Sequence, residues 1–176
     1  MNDSLDRDRL SLAFAALGDR LQRPVRVTVG GAGALILGGD LNRATTDCDV
    51  LRSQPDIGQL LGDIRAVATR CSLPSGWLNG SAQTYAEILP PDYETRLHSL
   101  PAFGRLQVMV IHRQDVLVMK LYAGRPRDLA DIATLAPTSA ELAFARTQLP
   151  RLTPGKRHPL LLAAGQFSWL CRFQPL

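Results

Sequence analysis

The sequence predicts an α/β (α+β) domain in which a short mixed sheet is flanked by helices and followed by a helical C-terminal part. Residues 25–29, V-R-V-T-V, alternate apolar and polar side chains, which is the pattern of a half-buried strand. Residues 105–112 form a second apolar and β-branched run after a glycine. Between and around these runs, apolar residues recur with the helical period. Strand and helix patterns that follow one another along one chain indicate helices packed on a sheet.

Length and composition indicate one globular domain over residues 1–176, with a core at about 1–135 and a C-terminal helical extension at 136–176. Of the 176 residues, 45% are hydrophobic, and no apolar run is long enough to cross a bilayer. The N-terminus is too charged for a signal peptide. Cys48, Cys71 and Cys171 have neither disulfide nor zinc spacing, so we expect reduced thiols, a cytoplasmic protein and no membrane partner.

The first half of the chain predicts two amphipathic helices around the first strand. The first helix has one apolar stripe, with Asp3 or Ser4 as its cap and an end before Pro24; the stripe comprises Leu10, Phe14, Leu17 and Leu21. A second strand should end near Leu51. A long helix over residues 57–71, capped by Ser53 or Asp56, should follow it.

The second half predicts a turn-rich segment, a buried strand and three further helices. Trp77 and Leu78 lie within the turn-rich residues 73–80 and should anchor them to the core. A helix that begins near Asp115, with Asp115 as its cap, should follow the strand at residues 105–112. Arg125-Pro126 favours the start of another helix. Thr138 or Ser139 would cap a third long helix, Ala140 to Leu149.

Four polar residues at every second position form the main candidate site: Arg43, Thr45, Asp47 and Asp49. On a strand, residues two apart point to the same face, so the two carboxylates would lie side by side. Carboxylates so placed repel each other, and a divalent cation between them relieves the repulsion. Mg²⁺ is commonly held by one or two carboxylates together with substrate phosphates. The spacing therefore predicts a metal site at Asp47 and Asp49.

A glycine pair precedes this candidate metal site. Gly30-Gly31 joins the first strand to a short apolar helix, Ala32 to Leu37. Backbone N–H groups exposed at such a turn, together with the helix N-terminus, favour an anion. Metal-binding carboxylates beside a phosphate-binding turn predict a nucleoside triphosphate site.

Lys120 interrupts an otherwise apolar helical stripe made by Val116, Met119 and Ala123. A lysine among apolar neighbours is rarely buried unless it is paired, so it is either functional or snorkels at the edge of the stripe. Asp128 and Asp131, one turn apart, follow it in the next helix.

These two motifs, in this order, resemble the DNA polymerase β nucleotidyltransferase superfamily. G-G-A-G-A-L, one residue longer than the G-G-x-A-L form of the family, and R-x-T-x-D-x-D are followed by a helix lysine and A-x-R-x-R-D-x-x-D. This series is similar to the small bacterial branch of AbiE-type and related toxin–antitoxin nucleotidyltransferases. The resemblance covers Val25 to Leu135 and implies a nucleotidyltransferase-like fold. The residues that match are Gly30, Gly31, Arg43, Thr45, Asp47, Asp49, Lys120, Arg125, Asp128 and Asp131.

The resemblance implies transfer of a nucleoside monophosphate from an NTP to an RNA or protein acceptor, with Mg²⁺ or Mn²⁺. Asp47 and Asp49 would bind the metal, and Lys120 would neutralise phosphate charge. Asp128 would orient this lysine or assist the acceptor. The setting would be a toxin–antitoxin or phage-defence pair, with a cognate toxin or antitoxin as partner. The nucleotide would be bound by Gly30, Gly31, Arg43 and Thr45.

The charge distribution favours an RNA acceptor such as tRNA. From Arg96 onward there are eleven Lys/Arg and four Asp/Glu, a net charge of +7, whereas the preceding residues carry −3. A basic half beside a metal site suits a polyanion. The candidate phosphate contacts are Arg146, Arg151, Lys156 and Arg157.

Two alternatives remain at this point. The first is a catalytically degenerate nucleotide- or nucleic-acid-binding module of the same fold, since the strand at residues 105–112 lacks the third carboxylate that polymerase-like members carry on a later strand. The second is a Rossmann-type dinucleotide-binding oxidoreductase, because V-G-G-A-G-A-L-I resembles its glycine turn. In that turn Ile36 stands where a third glycine or alanine belongs.

Overall fold

The computed structural model describes residues 4–148, which form a five-stranded open mixed sheet and six α-helices. The strands are β1 (Val25–Val29), β2 (Cys48–Gln54), β3 (Leu78–Asn79), β4 (His98–Ser99) and β5 (Leu106–Val110). The helices are α1 (Arg7–Arg20), α2 (Gly31–Gly38), α3 (Leu61–Cys71), α4 (Arg113–Ala123), α5 (Pro126–Leu135) and α6 (Ser139–Gln148). This arrangement confirms the predicted α/β fold class.

The sheet has β1 at its centre, in the order β3-β2-β1-β5-β4. β1 runs antiparallel to β2 and parallel to β5. A register irregularity between Thr28 and Val29 precedes the turn into α2, where the Gly30 N–H donates to the Asp49 carbonyl at 2.9 Å. This hydrogen bond fixes the start of α2 beside the start of β2.

The antiparallel pairing of β1 and β2 excludes the Rossmann alternative. A dinucleotide-binding turn requires a right-handed βαβ unit whose two strands are parallel. Here the strand that follows α2 returns beside β1 in the opposite direction. The glycine pair therefore opens a different kind of unit, and the Rossmann interpretation is wrong.

Two apolar clusters build the interior. The larger one lies between the sheet and the helices α1, α2 and α3; it includes the predicted stripe of α1 and the predicted anchors Trp77 and Leu78, which are fully or almost fully buried. The smaller cluster joins α4, α5 and α6 through Leu117, Leu121, Ile132 and Ala145. Because α6 packs on α4, the helical extension predicted after residue 135 begins against the core. The single-domain boundaries stay a prediction, and residues 149–176 lie outside the described part.

One arginine ties α6 to the rest of the domain. The guanidinium of Arg113, at the start of α4, contacts Glu141 at 2.6 Å and Asp40 at 2.7 Å, and it also donates to the Leu135 carbonyl. Glu141 accepts from the Thr138 N–H while Thr138 accepts from the Glu141 N–H, which is a capping box at the start of α6. The predicted capping role of Thr138 is confirmed.

Several local predictions need correction. Asp6, whose side chain accepts from the Arg9 N–H at 2.8 Å, caps α1 in place of the predicted Ser4 or Asp3, the latter of which lies outside the described residues. Residues 43–47 are not a regular strand, because β2 begins only at Cys48. His112 caps α4. The predicted cap Asp115 is instead fully buried in the first turn of α4.

The burial of Asp115 is balanced by one arginine. Its two oxygens accept from the Arg96 guanidinium at 2.8 and 3.0 Å. A buried carboxylate needs such a bidentate partner, and that requirement overrides the capping preference read from the sequence. The resulting pair joins α4 to the 3₁₀ turn Tyr93–Arg96. Within residues 4–148, no helix has the length and apolarity needed to span a membrane.

A close approach of α1 to the loop before β5 provides a stability test. A Cβ on Gly18 would lie 1.7 Å from the Phe103 carbonyl oxygen, so the backbones touch there. Gly18→Ala should lower the free energy of unfolding by about 2 kcal/mol or more, since the clash outweighs the gain in helix propensity of about 1 kcal/mol. Chemical denaturation measures the change.

Gly62 in α3 is the matched control, because a Cβ there would meet no atom within 4 Å. Gly62→Ala should stabilise the protein by up to about 1 kcal/mol. Equal effects of the two substitutions would contradict the proposed contact at Gly18.

Candidate functional site

A cavity of about 360 Å³ lies where the β1–α2 turn meets the start of β2. Its walls come from the start of α2, the segment 43–49, the turn at residues 81–85, and the facing sides of α4 and α5. These five pieces are distant in sequence, and the β1–β2 pairing together with the α4–α5 packing brings them together. The cavity lies within the size range of ligand-binding pockets in general.

Seven of the eight predicted site residues line this cavity. They are Gly31, Arg43, Thr45, Asp47, Asp49, Lys120 and Asp128. The eighth, Gly30, lies behind the wall. Its N–H is bonded to the Asp49 carbonyl, and a Cβ on it would lie 3.3 Å from the Met119 methyl carbon. The Gly30 N–H is thus engaged with the backbone of Asp49, and the nucleotide-binding role of Gly30 stays a prediction.

The D-x-D pair faces the cavity although only its second member lies on a strand. Thr45 exchanges two backbone hydrogen bonds with Leu5, and this isolated bridge anchors the segment before β2. The four alternate residues all line the cavity without a continuous strand, but Thr46 lines it too, so the alternation is not strict. Cys48, between the two carboxylates, points into the core and is fully buried.

The electrostatics of Asp49 indicate a site that favours a cation. Burial, together with the charge of Asp47, raises the pKa of Asp49 above its ordinary value; Arg125, a hydrogen bond from Asn79 and Lys120 act in the opposite direction. Burial raises the pKa of Cys48 too, with contributions from both carboxylates. Two carboxylates that repel each other in a half-buried pocket are stabilised by a divalent ion between them.

Gly31 is required at the start of α2 for two reasons. Its φ is +60°, in the left-handed region that glycine tolerates. A Cβ at this position would also lie 3.1 Å from the Asp49 Oδ2 atom, inside the cavity. The α2 N-terminus has no side-chain cap, and its first residues, Gly31 and Ala32, line the cavity. This helix end therefore faces the carboxylate pair with backbone N–H groups that suit an anion.

A buried ion network forms the opposite wall. The Lys120 ammonium contacts Asp131 at 2.7 Å and Asp128 at 3.3 Å, and all three residues are 4% exposed. Arg43 binds both oxygens of Asp131, at 2.6 and 2.8 Å. The Arg125 Nε contacts Asp128 at 2.7 Å. Lys120 is thus buried and paired, which excludes the snorkelling interpretation.

This network carries an excess of positive charge toward the cavity, because three cations share two carboxylates. Burial opposes the ionisation of Asp131, but hydrogen bonds from Arg43 and Lys120 outweigh it and lower its pKa. The hydrogen bond to Asp128 raises the pKa of Arg125, whose side chain is 69% exposed. An ammonium has three N–H donors, and the two aspartates accept from two of them. The wall is therefore suited to bind an anion.

The donor set fits Mg²⁺ held jointly by protein and substrate. Within residues 4–148, no group of three or more His, Cys, Asp or Glu side chains forms a complete metal site. Asp47 and Asp49 alone supply two carboxylates, which is the number that Mg²⁺ commonly takes from a protein when phosphates and waters complete its shell. Zinc or calcium cages would need more protein ligands.

Sequence reasoning missed two residues near the site. Asn79 on β3 is the register partner of Asp49, and its amide acts to lower the pKa of that carboxyl. The pairing therefore places an amide, and not a third carboxylate, beside Asp49. Tyr85 lines the cavity from the turn at 83–87. Both residues lie in a turn-rich segment with no periodicity that could have revealed them.

The buried ammonium makes a testable contribution to stability. Lys120→Met leaves Asp128 and Asp131 with one cation each, so the free energy of unfolding should fall by up to about 3 kcal/mol. Asp131→Asn in the same background should recover part of the loss by removing one undercompensated charge. Urea titration measures both changes.

The matched control is Arg20→Met, at an exposed pair with Asp63 on the surface. It should change stability by less than about 1 kcal/mol. A neutral or stabilising Lys120→Met would show that the ammonium does not support the fold.

One family model matches residues 9–139, and its description is "Nucleotidyltransferase of unknown function (DUF6036)". The match covers well over half of the chain and includes every segment that forms the cavity. No curated protein and no solved structure matches this sequence. The fold, the cavity and the family match agree, and the chain belongs to this family of nucleotidyltransferases of unknown function.

Proposed function

We propose that this protein transfers a nucleoside monophosphate from an NTP to an acceptor hydroxyl, with Mg²⁺ or Mn²⁺ as cofactor. One observation carries the proposal. A single cavity contains a carboxylate pair, an uncapped helix N-terminus and a cationic wall. Metal binding, triphosphate binding and charge stabilisation each need one of these features.

Asp47 and Asp49 would hold the metal, which supplies charge neutralisation to the phosphates. The N–H groups at the start of α2, beginning with Gly31, would bind phosphate oxygens at the same edge. Arg43 lies across the cavity with its guanidinium fixed by Asp131. A planar, oriented guanidinium suits phosphate recognition. Thr45 shares this wall and donates weakly to Asp47, at 3.5 Å, which helps to orient that carboxylate.

The reaction would follow the general course of nucleotidyl transfer. The acceptor hydroxyl loses its proton to water as its oxygen forms a bond to the α-phosphorus, the bond to the bridging oxygen breaks, and pyrophosphate leaves. The remaining donor of Lys120 would stabilise the charge that develops on the leaving phosphates. The carboxylate of Asp128 already accepts from Lys120 and Arg125, which favours an orienting role over that of a base.

We place the acceptor among RNAs, on the charge of the second half of the chain. Arg146, in the last turn of α6, is exposed; the other candidate contacts, Arg151, Lys156 and Arg157, lie outside the described residues. A protein acceptor, such as a cognate toxin or antitoxin, is the competing outcome. The toxin–antitoxin or phage-defence setting of the AbiE-type branch rests on the sequence resemblance alone, since the family match concerns nucleotidyltransferases in general.

A catalytically degenerate binding module is the second candidate. Asn79 occupies the position beside Asp49, and the described residues supply only two carboxylates to the metal site. Incubation of the protein with labelled NTPs, Mg²⁺ and total cell RNA separates the candidates. Label that enters RNA or protein in the wild type, but not in Asp47→Asn, supports the transferase. NTP binding without transfer to either acceptor supports the degenerate module.

Asp49→Asn should change stability and nucleotide binding in opposite directions. Because the pKa of Asp49 is raised on folding, the folded chain binds its proton more tightly than the unfolded chain, and the free energy of unfolding falls as pH rises through these pKa values. At neutral pH the ionised carboxylate is thus destabilising. Without metal, Asp49→Asn should raise Tm at pH 7 but not near pH ~4.

The same substitution should weaken Mg²⁺–ATP binding by about tenfold or more, because one metal ligand is lost. Calorimetry with and without Mg²⁺ measures the affinity. Asp63→Asn, on an exposed face of α3, is the control and should alter neither property. Unchanged Mg²⁺–ATP affinity in Asp49→Asn would contradict the metal site.

The RNA acceptor predicts salt-dependent binding of a tRNA pool. Phosphate contacts release counterions, so affinity should fall steeply as salt rises. Arg146→Ala should weaken binding and lower the slope of log affinity against log salt by about one. Arg20→Ala, in the last turn of α1, is the control. No binding at low salt, or binding indifferent to salt, would eliminate RNA and leave a protein acceptor.

A further inference from the structure

The cavity has one wall that metal and phosphate binding leave unused. The charged groups belong to the segment 43–49 and to α4 and α5, whereas the turn at residues 81–85 contributes uncharged side chains. Among the described residues that line the cavity, Tyr85 is the only aromatic one. If the phosphates of a nucleotide lie on the charged walls, its base must bind elsewhere in the cavity. The uncharged wall at residues 81–85 is the part that suits a planar, weakly polar group.

Tyr85 is held in place by three contacts. Its backbone N–H donates to the Ala82 carbonyl at 2.9 Å, within the 3₁₀ turn. Its ring meets the ring of Tyr122, on α4, edge to face, with centroids 5.9 Å apart and planes at 86°. Tyr85 also packs on the smaller apolar cluster. One part of the half-buried ring is thus fixed against α4, and the remainder contributes to the cavity wall.

Tyr85 lines the same cavity as the carboxylate pair and the start of α5. Burial raises the pKa of its hydroxyl, and Arg125, Asp128 and Asp49 are among the charges that act on it. That proximity is what a nucleoside requires, because its base and its phosphates are separated by a single sugar.

We propose that Tyr85 is the platform on which the nucleobase of the bound NTP stacks. The inference rests on the proposed nucleotide site and adds its base-binding part. A ring face accepts any base, since every base has a π-face, and stacking on an aromatic side chain contributes about 1–3 kcal/mol per base. Pre-fixing the ring against Tyr122 lowers the entropy lost on binding. The site should thus accept all four NTPs, with purines bound at least as tightly as pyrimidines.

The test compares a ligand that has a base with one that lacks it. Calorimetry on the full chain measures binding of Mg²⁺–ATP and of Mg²⁺–tripolyphosphate. Wild type should bind ATP more tightly than tripolyphosphate. Tyr85→Ala should weaken ATP binding by about 5- to 150-fold and leave tripolyphosphate binding unchanged. Tyr85→Phe keeps the ring and should bind both ligands as wild type does.

Two further variants distinguish loss of base stacking from a structural effect of the substitution. Tyr85→Leu keeps apolar volume against Tyr122 where alanine would leave a void, and it should show the same selective loss of ATP affinity. Phe144→Ala removes an aromatic ring of α6 that does not line the cavity, and it should affect neither ligand.

The remaining outcomes separate the inference from the proposed function. Equal wild-type affinity for ATP and tripolyphosphate would overturn the stacking role and leave the phosphate site intact. Equal weakening of both ligands by Tyr85→Leu would overturn it too, because it would indicate a structural residue. If wild type binds neither ligand, the proposed nucleotide site itself fails.

Discussion

The ammonium of Lys120 joins three parts of the chain that are distant in sequence. It lies on α4 and contacts two aspartates of α5, one of which also holds Arg43 from the segment before β2. A buried charge is tolerated only when partners surround it, so the two helices and this segment must be correctly placed before the lysine can be buried. The same pairing places the cations on the wall opposite Asp47 and Asp49, the proposed metal ligands. Fold and site thus depend on one set of ion pairs.

The turn at Gly30-Gly31 imposes the second constraint. One glycine donates its N–H to the Asp49 carbonyl, and the next adopts a positive φ and leaves space beside the Asp49 carboxylate. The strand, the helix and the acidic pair therefore meet at this turn, and a side chain at Gly31 would crowd the Asp49 carboxylate. The positive φ and the absent Cβ explain why a glycine, and not merely a small residue, stands at Gly31.

Much of the fold and of the candidate site was predictable from the sequence, and the predictions that failed did so for physical reasons. The valines of β1, the stripe of α1 and the start of α5 at Arg125-Pro126 follow local periodicity or backbone chemistry, and all were predicted. The alternate residues Arg43, Thr45, Asp47 and Asp49 were predicted to lie together, and all four line the cavity. Thr46 lines it as well, because a backbone bridge to Leu5, invisible in the local sequence, replaces the expected strand. Asp115 was assigned as a cap because its bidentate partner, Arg96, is nineteen residues away. Asn79 and Tyr85 escaped notice because their roles come from tertiary pairing alone.

The contacts of Arg113 bear on where this domain can be divided. Its guanidinium holds Asp40, after α2, and Glu141, on α6, and Glu141 in turn caps that helix. The family match ends at residue 139, before this glutamate. A chain cut at that limit would lose one of the two carboxylates that balance a half-buried arginine, and with it the apolar cover that α6 gives to α4. The residue at which the family match ends is therefore not the end of the cooperatively folding unit, and any minimal folded fragment must extend through α6.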